Sequence, residues 1–249
     1  MNINDFVKAH AATQYLGASA STQATGGLSL VAQAGLKKAD QRIQAQVNTT
    51  TAQLSTFGKL QSAVSGTQIA ARGLGVLGST STAAAQKSAA SDFTSAFNTA
   101  LASAKTSAAQ PGEPAAAQSA SRTGNNLLRA LGADSAAVDA LKKVGFSLNT
   151  GGSLVLDTKQ LDAAQKADPA AVRATLNKLG QQVFSAATQE LAGNGNVGLS
   201  LSTLNQRSGI LKSQQATLSA LGQGASPTQS NTGFGSWTNW GVSVYQQSR

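Results

Sequence analysis

The sequence predicts a mainly α, elongated protein, with N- and C-terminal coiled-coil helices and a small helical module carrying one β-hairpin. Three observations predict it. Apolar residues recur at alternating spacings of four and three near both ends of the chain, which is a heptad signature. One glycine-centred stretch alternates apolar and polar residues, which is the period of a strand. Composition disfavours a dense globule: of 249 residues, 4% are aromatic and 12% charged, and the 41% hydrophobic share leans on Ala. Ala gains little on burial because the free energy follows apolar area.

Residues 1–27 read as a disordered export segment of Ser, Thr, Ala and Gly without periodicity. The N-terminal coiled-coil helix is expected over 28–78. Its seam runs through Ile43, Val47, Thr50, Leu54, Phe57, Gln61 and Val64. Thr50 and Gln61 interrupt the apolar positions, so the helix needs other helices to bury its stripe. Residues 79–124 have the Ala/Ser-rich composition of a linker, with a short helix around Phe93, Phe97 and Leu101 and a break bracketed by Pro111 and Pro114.

The module is expected over 125–195. It opens with two short helices, the first ended by Gly132 and the second capped by Asp134 or Ser135, burying Leu127, Leu131, Val138, Leu141 and Val144. Phe146 and Leu148, then Leu154 and Leu156, alternate with other residues around "NTGG", a hairpin pattern. Asp157 is placed to cap a helix over 158–167. Asp168 is placed to cap the next, with Pro169 at its first position, where a missing N–H costs nothing. That helix puts Val172, Leu176, Leu179, Val183, Ala187 and Leu191 on one face.

After "GNGNVG" a second heptad pattern predicts the C-terminal coiled-coil helix over 196–221, through Leu201, Leu204, Ser208, Leu211, Gln215 and Leu218. Residues 222–249 read as a flexible tail with aromatics at Phe234, Trp237, Trp240 and Tyr245. These suit either a contact with another molecule or docking on the chain itself.

Candidate chemistry is sparse. There is no Cys, so thiolate metal sites and Cys nucleophiles are excluded. The one His, His10, lies in the segment expected to be disordered, where no base can be held in place. "GNGNVG" matches the dinucleotide fingerprint in letters, but a helix precedes it and no acid follows it, so it reads as a helix stop and turn. Asp157 and Asp168 are accounted for as caps, and Asp162 sits between them on a helix surface. No catalytic residue, cofactor site or metal site is assigned. The net charge of +9 could attract anionic partners, but no aromatic-plus-basic stripe points to nucleic acid. No apolar run suits a signal peptide or a membrane span, so neither membrane insertion nor signal-peptide export is expected.

The order of these elements resembles a known family. "QRIQAQVNTTTAQLSTFGKLQSAVSGTQIAA" is similar to the first long helix of the flagellar filament-capping proteins (FliD, hook-associated protein two). "LKKVGFSLNTGGSLVLDTKQLDAAQKADPAAVRATL" followed by "LSLSTLNQRSGILKSQQATL" is similar to their C-terminal part. The resemblance covers somewhat over half the chain and lacks the family's large head domains. It implies a secreted structural protein of the bacterial flagellum, exported through the type III channel. Copies would form a homo-oligomeric cap beside flagellin and hook-associated junction proteins, with an export chaperone as a further partner. The seam residues Ile43, Val47, Leu54, Phe57, Val64, Leu201, Leu204, Leu211 and Leu218 are then expected at the assembly interface. The alternative is an exported adhesin or accessory protein that reuses the scaffold and binds acidic glycans.

Overall fold

A computed structural model describes residues 30–132 and 135–223. The fold is mainly helical with one small two-stranded antiparallel sheet. In chain order the described elements are α1 (Leu30–Gly75), α2 (Ala83–Ala109), α3 (Pro114–Leu131), α4 (Ser135–Lys143), β1 (Phe146–Leu148), β2 (Leu154–Leu156), α5 (Thr158–Ala167), α6 (Pro169–Leu191) and α7 (Asn196–Gln223). The chain divides into two units, 1–38 with 218–249, and 39–217. Of the first, the described residues are the opening turns of α1 and the last turns of α7. The core lies in the second. His10, Asp134 and the tail aromatics Phe234, Trp237, Trp240 and Tyr245 fall outside the described residues.

Helix α1 is built on strict seven-residue repeats. Thr50, Phe57, Val64 and Ala71 form one buried series, and Gln53, Leu60, Thr67 and Leu74 form a second, three residues further on. A strict heptad on a helix of 3.6 residues per turn drifts around the axis and favours a left-handed supercoil. The sequence-derived seam found the first series but paired it with Val47, Leu54 and Gln61, one residue too far along. Ile43, Val47 and Leu54 are half-buried and Gln61 is exposed. Two polar side chains hid the true partner series, and both are buried because they are hydrogen-bonded. The Thr67 hydroxyl sits within hydrogen-bond reach of the Ala63 carbonyl at 3.1 Å and the Ala96 carbonyl at 3.0 Å; Gln53 binds the turn before α3.

The stretch expected as a linker is two core helices. Thr82 caps α2 by accepting from the Ala85 N–H at 3.1 Å. The break at Pro111 and Pro114 is real: α2 ends at Ala109, and α3 begins with Pro114 at its first position. Helix α2 buries Gln86, Phe93, Ala100 and Ser107 in one heptad series and Ala90, Phe97 and Ala104 in the other. Phe93, Phe97 and Leu101 thus belong to a long helix and not to a short one. Helix α3 buries Ala116 and Thr123, then Ala120 and Leu127, and runs through the residues expected to open the module. The two helices approach closely where Gly124 faces Ala104; a Cβ at 124 would lie 3.4 Å from the Ala104 Cβ. Small residues permit this approach, and Ala-on-Ala packing is core structure that composition alone reads as filler.

The hairpin lies where it was expected, and its register sets Phe146 opposite Leu156 and Leu148 opposite Leu154. Phe146 enters the core edge-on to Phe93, with ring centroids 6.4 Å apart. Leu148, expected inward, is exposed, as is Val155. Asn98 of α2 holds the hairpin by its outer edge. Its amide donates to the Leu154 carbonyl and accepts from the Leu154 N–H, both at 2.8 Å. Gly145, at φ +93°, sets the entry to β1, and a Cβ there would meet the Asp157 carbonyl oxygen at 2.5 Å.

Candidate functional site

The region that the sequence singled out, Gly145 to Leu176, is assembled from local signals and then fixed by distant ones. Asp157 caps α5: its carboxylate accepts from the Lys159 N–H at 2.9 Å and the Gln160 N–H at 3.1 Å. Asp168 caps α6 in the same manner, accepting from Ala170 at 3.1 Å and Ala171 at 2.9 Å, with Pro169 following it. Each cap stabilises its helix by about 1 kcal/mol. Asp162 is engaged elsewhere, in an ion pair with Lys87 of α2 at 2.7 Å. The three aspartates therefore point at three separate structural tasks. Among the described residues, no group of three His, Cys, Asp or Glu side chains is placed to hold a metal ion.

The apolar face of α6 meets α1 at Gly180. A Cβ there would lie 2.5 Å from both the Ala71 carbonyl oxygen and the Gly75 nitrogen, so the crossing requires glycine. After α6 the "GNGNVG" segment turns the chain into α7. A Cβ at Gly195 would meet the Gln189 carbonyl oxygen at 2.0 Å, and one at Gly198 the Ala192 carbonyl oxygen at 2.1 Å. These glycines serve a tight helix-to-helix corner.

That corner carries a group the sequence reading missed. Glu190 is 4% exposed and forms no ion pair with any of the described residues. Its carboxylate accepts from the Thr123 hydroxyl at 2.7 Å, the Asn126 amide at 2.7 Å, and the Asn196 amide at 3.1 and 2.9 Å. Neutral donors from α3 and α7 thus replace the water that a buried carboxylate loses, and one side chain ties α3, α6 and α7 together. A second tie joins α1, the α2–α3 turn and α7. Gln53 accepts from the Glu113 N–H at 3.0 Å and donates to its carbonyl, while the Glu113 carboxylate pairs with Arg207 of α7. The sequence signal for either tie is only a lone acid in an apolar helix or before a proline.

The expected seam residues divide into two groups. Phe57, Val64, Leu204 and Leu211 are buried within the chain itself, whereas Ile43, Val47, Leu54, Leu201 and Leu218 are half-buried. In α7 the expected Leu204, Ser208 and Leu211 are buried and Leu201, Gln215 and Leu218 half-buried, while Val197 and Ser200, outside the expected seam, are buried as well. Gln44 of α1, an exposed neighbour of Ile43, hydrogen-bonds to Gln215 of α7.

Charge is distributed unevenly. Asp40 and Asp92 apart, each acid among the described residues is occupied in a cap, an ion pair or the Glu190 cluster. Lys37, Lys38, Arg42, Lys59, Arg72, Arg122, Arg129 and Lys212 are exposed, and none of them forms an ion pair with a described residue.

Comparison with family models, with curated proteins and with solved structures returns no match.

Proposed function

We propose that this chain is a structural subunit of the bacterial flagellum, cap-like in role, secreted and assembled at the filament tip beside flagellin and hook-associated junction proteins. The observation that carries the reading is the segment Gly145–Leu176: a hairpin, an Asp-capped helix and an Asp-Pro-capped helix, followed by a tight corner into a heptad-bearing helix. That order of elements is what resembles the filament-capping family. The hydrogen bond from Gln215 of α7 to Gln44 of α1 supports the same reading, since it links the two helices expected to be terminal coiled coils while Ile43 and Val47 stay half-buried and open to neighbouring copies. Polar residues in heptad positions, such as Thr50, Gln53 and Ser208, favour one register over others at some cost in stability.

The test is genetic and microscopic. Cells lacking the gene should lose filaments and release unassembled flagellin, and antibody label should be confined to filament tips. Intact filaments in the deletion strain reject the reading. A second reading, an exported surface protein that binds acidic glycans, is favoured by the exposed, unpaired basic side chains described above. Label along the cell surface and retention on an anionic glycan column support it.

A further inference from the structure

The solvent face of α1 carries apolar side chains and glycines with no role inside the described fold. Ile69 and Val76 are 70% and 71% exposed. They stand one heptad apart, on the side of the helix opposite the buried Leu60, Thr67 and Leu74. The Val76 N–H still bonds the Arg72 carbonyl at 3.1 Å, so helical geometry reaches that far. Both residues are β-branched. In a helix such a side chain loses rotamer freedom, and here it buries little apolar area in return. Gly66 and Gly73, also one heptad apart, lie beside them. A Cβ at Gly58, Gly66 or Gly73 would meet nothing within 4 Å, whereas one at Gly75, on the α6 side of the same helix, would lie 3.7 Å from Gln181. Glycine weakens a helix interior, and no contact among the described residues requires these three. What glycine permits is the close approach of another backbone.

Ser62 and Ser65 share this face, so it is shallow from Gly58 to Val76, a run of about 27 Å at the helical rise per residue. On α6, Phe184 is 36% exposed and sits between Gly180 and Thr188, residues through which α6 touches this stretch of α1. The edges of the face are basic. Arg72 stands within one turn of both Ile69 and Val76, and Lys59 lies one heptad before Gly66. Both are exposed and form no ion pair with a described residue. Helix α1 carries no acid after Asp40.

We propose that this face docks an amphipathic helix of a partner protein, apolar along its centre and acidic along its edges. Charge selects that occupant. A second copy meeting the same face about a two-fold axis would bring the basic edges Lys59 and Arg72 together, and like charges in contact oppose binding. Residues 224–249 hold no acid and residues 1–29 hold one, Asp5, so neither end of this chain matches the basic edges. Exposed apolar side chains supply the contact area, the glycines let the backbones approach, and Lys59 and Arg72 orient the partner. The inference does not depend on the assembly reading.

The test titrates fluorescein-labelled helical peptides, about three heptads long, with the full chain and reads fluorescence anisotropy. Each peptide has Leu and Ala on one face, and Glu, Gln or Lys along the edges of that face. The Glu peptide should bind roughly tenfold tighter than the Gln peptide, and the Lys peptide should bind least. Ile69→Asp should weaken the Glu peptide roughly tenfold. Lys59→Glu combined with Arg72→Glu should reverse the order of the peptides, whereas Lys143→Glu, on α4, should leave it unchanged. Gly73→Leu should abolish binding without lowering the thermal midpoint, because the added side chain enters open space. Equal binding of the Glu and Gln peptides, an unaltered order in the double variant, a lowered midpoint in Gly73→Leu, or no binding at millimolar concentration would each overturn the proposal. Self-association in sedimentation that Ile69→Asp removes would assign the face to a second copy and overturn it as well.

Discussion

Two neighbouring regions of this protein differ in how they encode structure. The hairpin module, from Gly145 to Leu176, is written in local, directional signals: a left-handed glycine, an alternating strand pattern, two Asp caps and a Pro at a helix start. The α2–α3 pair, from Ala83 to Leu131, has almost none of these beyond Thr82 and Pro114. Its information lies in a seven-residue series of mostly small residues, Ala90, Ala100, Ala104, Ala116 and Ala120, set among other alanines that face solvent. Where the same letter occupies buried and exposed positions, apolar contrast vanishes and a core helix reads as a linker. Caps are legible one residue at a time, whereas a small-residue heptad is legible only once its partner helix is known.

The largest effect should come from treating α2 as core. Phe97→Ala removes a fully buried ring packed 5.6 Å from Phe93, and should destabilise by about 3–5 kcal/mol in chemical denaturation. A true linker would show almost no change, and limited proteolysis should likewise spare residues 83–131 in the native protein. Next is the buried tie at the corner before α7. Glu190→Gln keeps the shape but, whichever way it turns, sets its N–H₂ against the Asn196 amide, a donor that faces both carboxylate oxygens. It should cost about 1–3 kcal/mol, read as a lowered unfolding midpoint, and a variant as stable as the parent would remove Glu190 from the set of structural ties.

Asp168→Ala, in the legible region, should cost about 1 kcal/mol, with Asp168→Asn retaining most of the stability. A loss as large as that of Phe97→Ala would mean the cap does more than close its helix. The smallest change has the opposite sign. The Ser107 hydroxyl is buried on the α2 heptad without a hydrogen-bond partner, so Ser107→Ala should stabilise by up to about 1 kcal/mol. Destabilisation would show that a bound water satisfies it.

The heptads near the two ends fall on either side of the same divide. In α7, Leu204 and Leu211 are the strongest apolar residues at their spacing and were found directly. In α1 the first series, Thr50, Phe57 and Val64, was found, but the second was not, because Gln53 and Thr67 are polar and Val47 and Leu54 offered a more apolar alternative one residue away. Only the partners settle it: Gln53 is buried because Glu113 presents both an N–H and a carbonyl to it, and Thr67 because the Ala96 carbonyl lies within reach.

The sequence by itself determined the helical class, the hairpin, the Asp157 and Asp168 caps, the corner at "GNGNVG" and the buried Leu204 and Leu211 of α7. Each depends on residues within a few positions of one another. Tertiary structure alone decided that residues 79–124 fold into the core, which face α1 buries, and that Glu190 is held by three neutral donors. The physical reason is common to all three. Burial of small or polar side chains is favourable only when a specific neighbour fills the space or supplies the hydrogen bond, and that neighbour lies dozens of residues away.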